Sequence, residues 1–334
     1  MAISNSVYSM SEWQLAILGE TTTGTKIATS MQKVNIDGDV SVSSEIVQTL
    51  DVRSGTGRTL KTGDVFTTDY GGLKSTITFD CVHDEAVSAL LHASALADAG
   101  SSSVWTIADT YAPGGRGIGD TSGTAANSMT VALVSPIASK TRFFTGCVVT
   151  NLTVKHDASV EGGRGHCSVT IETAMRPADG TTDPTYAAAA FSSDFTYLRD
   201  FAAKKSIGGS EVVLNKLEYT IENPAVFPGG DASGDPEIIS RAQPGINFSV
   251  LAGVKYDVNT EDLWQSRRAG TITAVEISNH ATWASATIGL KSDYMKIVDT
   301  PMSGTDAGVF QDLSLVSTVG DSQSLVILKP FNPA

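Results

Sequence analysis

His156, His166 and Cys167 flank one turn of the chain, and strand pairing across that turn would bring the two imidazoles together. A zinc ion held there would need four ligands in tetrahedral array, and Asp157 or Glu161 offers only a guess at the fourth. No metal is therefore expected. Gly115-Arg116-Gly117-Ile118-Gly119 resembles a phosphate loop only on the surface: the third-glycine spacing, the Gly-Lys-Ser/Thr ending and a following helix are all missing. No GxSxG elbow or HExxH helix occurs. The acidic stretches 37–39 and 231–235 lack the ligand spacing and closing Glu of a calcium loop and read as turns. With no nucleophile, acid–base pair or cofactor cradle in place, the chain is expected to be a non-enzyme with no catalytic, cofactor-binding or metal-ligating residues.

Charge is concentrated instead in two long polar loops. The first, 51–72, carries Arg53, Arg58 and Lys61 within nine positions. The second, 224–245, carries Asp231, Asp235 and Glu237 in a Pro- and Gly-rich setting. Charged loops are commonly just solvated. The functional reading is that these six residues meet complementary surfaces on neighbouring copies and set their register through charge.

These loops must be held by a β-rich frame. Asp39-Val40-Ser41-Val42-Ser43-Ser44 and Leu73-Lys74-Ser75-Thr76-Ile77-Thr78-Phe79 alternate polar and apolar, and 148–154 and 168–173 continue with β-branched residues at period two. Such alternation buries one face of an antiparallel strand and leaves the other for solvent or a partner. The segment 157–165 between them reads as a hairpin loop. Two helices are expected. One starts at Asp84-Glu85 and precedes Gly100; the other runs from an N-cap at Asn259 towards a stop at Gly270.

Composition limits the rest. A chain of 334 residues suggests roughly two domains. Its 23 basic and 36 acidic residues give a net charge of −13, which argues against a general nucleic-acid binder or a polybasic membrane-surface protein. Apolar residues make up 41 % of the chain, enough for a core, and no run reaches the roughly 18 residues of a membrane helix. Nothing before Lys26 resembles a secretory signal, so synthesis in a cytoplasm is expected. The three cysteines, Cys81, Cys147 and Cys167, form no CxxC pair and are expected as buried small side chains.

The order strand, long loop, strand, helix, strand, hairpin occurs twice. Thr76-Ile77-Thr78-Phe79-Asp80 leads into the first helix, Gly100 and the strand at 104–107; Ala252-Gly253-Val254-Lys255-Tyr256-Asp257 leads into the second helix, Gly270 and 271–277. The closing hairpins pair 148–155 with 167–173 and 294–299 with 310–317. The Pro/Gly/Asp-rich stretch 176–184 is the clearest linker, with a strap of aromatic and small residues at 186–201 beyond it. The expected domains are 1–180, with an insertion near 109–128, and 181–334.

Four segments resemble the tail tube proteins of long-tailed bacteriophages, in the two-domain form. Leu18-Gly19-Glu20-Thr21-Thr22-Thr23-Gly24-Thr25 is similar to that family's opening Glu-Thr-x-x-Gly-Thr. The strand–helix unit 76–96 resembles its helix laid on a β-sandwich. Phe144-Thr145-Gly146-Cys147-Val148-Val149-Thr150-Asn151-Leu152-Thr153-Val154 resembles the segment leading into its last hairpin, and Val213-Leu214-Asn215-Lys216-Leu217-Glu218-Tyr219-Thr220-Ile221 the opening strand of its second domain. The resemblance implies two tandem β-sandwich domains, each flanked by a short helix, whose inner strands join an inter-subunit β-barrel. It implies a virion protein whose partners are further copies of itself, in trimeric pseudo-hexameric or hexameric rings that stack. The tape measure, terminator and distal tail proteins would be the other partners, and double-stranded DNA would pass through the lumen without specific binding. A tail terminator, baseplate or decoration protein, or a carbohydrate-binding β-sandwich module, are the alternative readings.

Overall fold

The computed structural model describes residues 12–50, 66–96, 105–108, 128–175, 177–180, 182–187, 195–226, 229–230, 236–237, 240–241, 247–258, 260–305, 308–317 and 324–330. The first half of the chain forms β1 (Gln14–Gly19), β2 (Gln32–Lys33), β3 (Ser41–Leu50), β4 (Phe66–Val82), α1 (Glu85–Leu96), β5 (Trp105–Ala108), β6 (Met129–Val134), β7 (Arg142–Asp157), β8 (Gly165–Thr173) and β9 (Ala178–Asp179). The second half forms β10 (Lys204–Ile207), β11 (Ser210–Glu211), β12 (Leu214–Glu222), four two-residue strands β13 (Ala225–Val226), β14 (Gly229–Gly230), β15 (Pro236–Glu237) and β16 (Ser240–Arg241), then β17 (Asn247–Lys255), α2 (Glu261–Ala269), β18 (Ile272–Ser278), β19 (Ile288–Asp299), β20 (Met302–Thr305), β21 (Gly308–Ser317) and β22 (Ser324–Pro330). The protein is mainly β, with one large antiparallel sheet of 18 strands among the described residues.

The pairings follow one scheme twice. In the first half β2 pairs β1, β1 pairs β6, β6 pairs β7, β7 pairs β8, β8 pairs β4 and β4 pairs β3. In the second, β11 pairs β10, β10 pairs β18, β18 pairs β19, β19 pairs β21, β21 pairs β17 and β17 pairs β12. Two of the irregularities coincide. The bulge at Thr150 in β7 against β8 matches that at Val298 in β19 against β21. The bulge at Thr130 in β6 matches that at Ala274 in β18. A one-residue slip would turn every side chain to the opposite face, so shared bulges pin the correspondence residue by residue. Ile17 thereby matches Ile207, Val131 matches Val275, Cys147 matches Met295, Ile77 matches Val250 and Ile171 matches Leu315, and all ten are buried.

This register revises two expectations. Phe79-Asp80 and Tyr256-Asp257 are not counterparts: Phe79 is buried within β4 and corresponds to Ala252 of β17, whereas exposed Tyr256 lies beyond the end of β17. The aromatic-Asp pattern is a likeness of residue type without a shared position. The strand at 104–107 is likewise not the counterpart of 271–277, the place expected for it. β5 pairs β22, and it is β6 that occupies the place of β18.

Local chemistry sets the helix ends. Asp84 accepts the Val87 N–H at 3.0 Å and holds the first turn of α1. α2 stops at Gly270, whose φ of 65° suits a residue without a side chain; its N–H donates to Arg267 O, and Thr271 N–H donates to Ser266 O. The N-cap of α2 is Thr260 rather than Asn259, which lies outside the described residues. Hydrophobic packing spans the halves: Phe144, Leu152 and Val169 share one core with Leu217, Phe248 and Leu313.

Candidate functional site

Nothing among the described residues gathers three metal-ligating side chains. Strand alternation sends His156 and His166 to opposite faces of the β7–β8 hairpin. His166 sits on the outer face, 2.7 Å from Asp37 and 3.6 Å from Glu161. With Asp80, Asp157, Glu218, Lys155 and Arg164 it lines a cleft of about 450 Å³. The cleft holds five carboxylates, those of Asp37, Asp80, Asp157, Glu161 and Glu218.

The inner face carries a buried polar chain that sequence reading missed. Thr196 Oγ1 lies 2.7 Å from His83 Nδ1 and 2.9 Å from His156 Nε2. His83 Nε2 reaches Ser88 at 2.8 Å, and His92, one helical turn further along α1, reaches the Tyr219 hydroxyl at 2.9 Å. Burial pushes the His92 imidazole down to about 4. Burial, aided by His166, pushes His156 down to about 3. Burial also holds the Tyr219 hydroxyl well above its ordinary range. His92, His156 and Tyr219 are thus neutral near pH 7, and with His83, Ser88 and Thr196 they form a polar clasp. Its members come from the turn between β4 and α1, from α1, β7, β12 and the strap at 195–197, so no local motif announces it.

That clasp sits at the joint between the halves. β12 pairs β7 over seven residues, from Lys216 opposite Asp157 to Glu222 opposite Asn151. Thr153 and Thr220 hydroxyls meet at 3.0 Å across it, Asn223 N–H donates to Thr150 O, and Asn223 Nδ2 donates to Ala95 O at 2.7 Å. The joint therefore consists of a strand added to the outer edge of β7 and a helix, α1, covering the seam.

A second buried polar site explains the Glu-Thr-x-x-Gly-Thr segment. Glu20 is 1 % exposed and accepts from four donors: Gly24 N–H at 2.8 Å, Ser128 Oγ at 2.7 Å, Thr130 Oγ1 at 2.8 Å and Gly146 N–H at 3.0 Å. It ties the turn after β1 to β6 and β7.

Of the six charged loop residues expected to make contacts between copies, Arg53, Arg58, Lys61, Asp231 and Asp235 lie outside the described residues. Glu237 lies in the backbone of β15, paired with β14. The glycine-rich segment 115–119 and the 109–127 part of the insertion also lie outside them. No known family model matches the sequence, and no curated protein matches it.

Proposed function

We propose that this chain is a structural subunit that polymerises as stacked rings into the tail tube of a long-tailed phage, lining the channel through which the genome leaves. The observation that carries this reading is the pairing scheme used twice, with the second copy joined to the first strand by strand. A unit that already adds one copy of itself to its own edge is suited to continue around a closed barrel. On this reading the halves are tandem sandwich domains, 1–180 and 181–334. The strands at the joints form the inner wall, and three chains give a ring of six domains. The charged loops at Arg53, Arg58, Lys61, Asp231, Asp235 and Glu237 reach the adjacent ring. A net charge of −13 suits a channel wall that repels passing phosphates, whereas a basic wall would hold DNA through counterion release.

Negative-stain electron microscopy of the purified chain, with its mass in solution, tests the reading. Hollow tubes or stacked rings are expected. A discrete closed oligomer that never stacks at any concentration would overturn the tube in favour of a terminator or decoration protein.

A further inference from the structure

The twofold scheme leaves one pairing unmatched. Within the chain, the outer edge of β7 receives β12. The bulges make Asp299 the counterpart of Asn151 and Met302 that of Val154, so β20 continues β19 just as the second part of β7 continues the first. In the first half the edge is occupied; in the second, no strand among the described residues lies on the outer side of β20. The same register makes β3 the counterpart of β12, with Val42 at the place of Tyr219, and β3 pairs only β4 among the described strands. Among the described residues, one half-joint is open in each half of the chain.

Side chains carry the same asymmetry. Val154 is fully buried beneath the joint, while Met302 at the matching place is 54 % exposed. The flanking Val298 and Val309 are exposed as well. α1, which covers the first joint, buries Val87, Leu91, Ala95 and Leu96; α2 buries only Leu263 and leaves Trp264 in solvent. Gln311, paired with Met302, is fully buried with neither amide atom hydrogen-bonded. Pro301 does not block the edge. Its carbonyl accepts from Asp312 N–H, so its missing donor faces β21, and the backbone groups of Met302 point outward.

We infer that the β3 edge of one copy adds to the β20 edge of the next, antiparallel and in the register of the β7–β12 joint, with α2 covering the seam as α1 covers the internal one. Carrying over the internal register places Val42 opposite Met302 and Ser41 opposite Ser303 of the neighbouring copy. The partner is a second copy of this chain, and the contact is heterologous, so it closes rings or runs on as a helix according to its rotation. The inference rests on the proposed self-assembly and specifies its lateral contact.

Cysteine cross-linking tests it. Ser41 opposite Ser303 is a non-hydrogen-bonded pair, where Cα atoms approach to about 4.5 Å and a disulfide fits. The described native cysteines Cys81, Cys147 and Cys167 are buried. Ser41→Cys chains mixed with Ser303→Cys chains and mildly oxidised are expected to give a dimer that neither variant gives alone. The double variant is expected to give a ladder whose closed top band counts the chains in the ring. Met302→Glu should weaken association by roughly tenfold or more, with the monomer's circular dichroism unchanged, because it places an unpaired charge in the seam. Absence of the mixed dimer, in assembled particles or at high concentration, overturns the pairing, as does equal cross-linking with Thr305→Cys in place of Ser303→Cys. Tubes without the cross-link would remove this contact and keep the tube; cross-linked rings that never stack would keep the contact and remove the tube.

Discussion

Glu20 shows how a surface-like motif can encode a buried anchor. Its carboxylate satisfies two backbone N–H groups and two hydroxyls from three separate segments. Glu20→Ala would strand all four donors, and a loss of about 3–5 kcal/mol in urea unfolding is expected. The spacing of Glu20 and Gly24 was visible in the sequence; the donors at Ser128 and Gly146, more than a hundred positions away, were not. The histidine clasp was wholly hidden, because His83, His92, His156, Thr196 and Tyr219 share no period. Its titration gives a second expectation. Both His92 and His156 have folded values below the ordinary imidazole value of 6.5, so the unfolded chain takes up protons first as the solution is acidified. Their contribution is complete above pH 6.5 and is lost as pH falls towards 4 and then 3. For His92 alone, denaturant unfolding should show a loss of about 3 kcal/mol between pH 7 and pH 4. A His92→Gln variant should start lower at pH 7 and fall less steeply.

At the scale of elements, period-two alternation located β4, β7, β8 and the start of β3, because such strands bury one face. The 157–165 turn was legible as well, with β7 ending at Asp157 and β8 beginning at Gly165. Pairing partners were less accessible. Nothing local in Trp105–Ala108 distinguishes a strand destined for β22 from one destined for β7, since edge choice is decided by which edges remain vacant after the core forms. Bulges are equally silent: Thr150 and Val298 share no residue type, yet both insert one residue at the same point of the scheme. The end of α2 was readable because only glycine occupies its φ of 65° without strain. Gly270→Ala should therefore cost about 1 kcal/mol in thermal or denaturant unfolding, with the fold retained.

For the whole molecule, under the proposed tube function the acidic balance bears on transport, not on folding. Once an assembled particle identifies which carboxylates face the channel, replacing several with Lys should slow genome ejection in a salt-dependent way. Ejection at the normal rate at low ionic strength would remove the proposed role of charge. The two charged loops were conspicuous in composition because clustered charge needs no long-range information to be seen. The joint was not conspicuous, since strand addition uses backbone groups that every residue carries.

The β7–β12 joint also has a kinetic consequence. Because both strands belong to one chain, that seam forms by folding, at an effective concentration set by the connecting segment and independent of how much protein the cell contains. In the proposed assembly, only the seams between chains would wait on collisions. In a ring of alternating seams, half the bonds are therefore made before any encounter, and fewer bodies must meet to close it. Dilution would leave the tethered seams intact and open the others, so a disassembling ring should come apart into intact chains at every second joint.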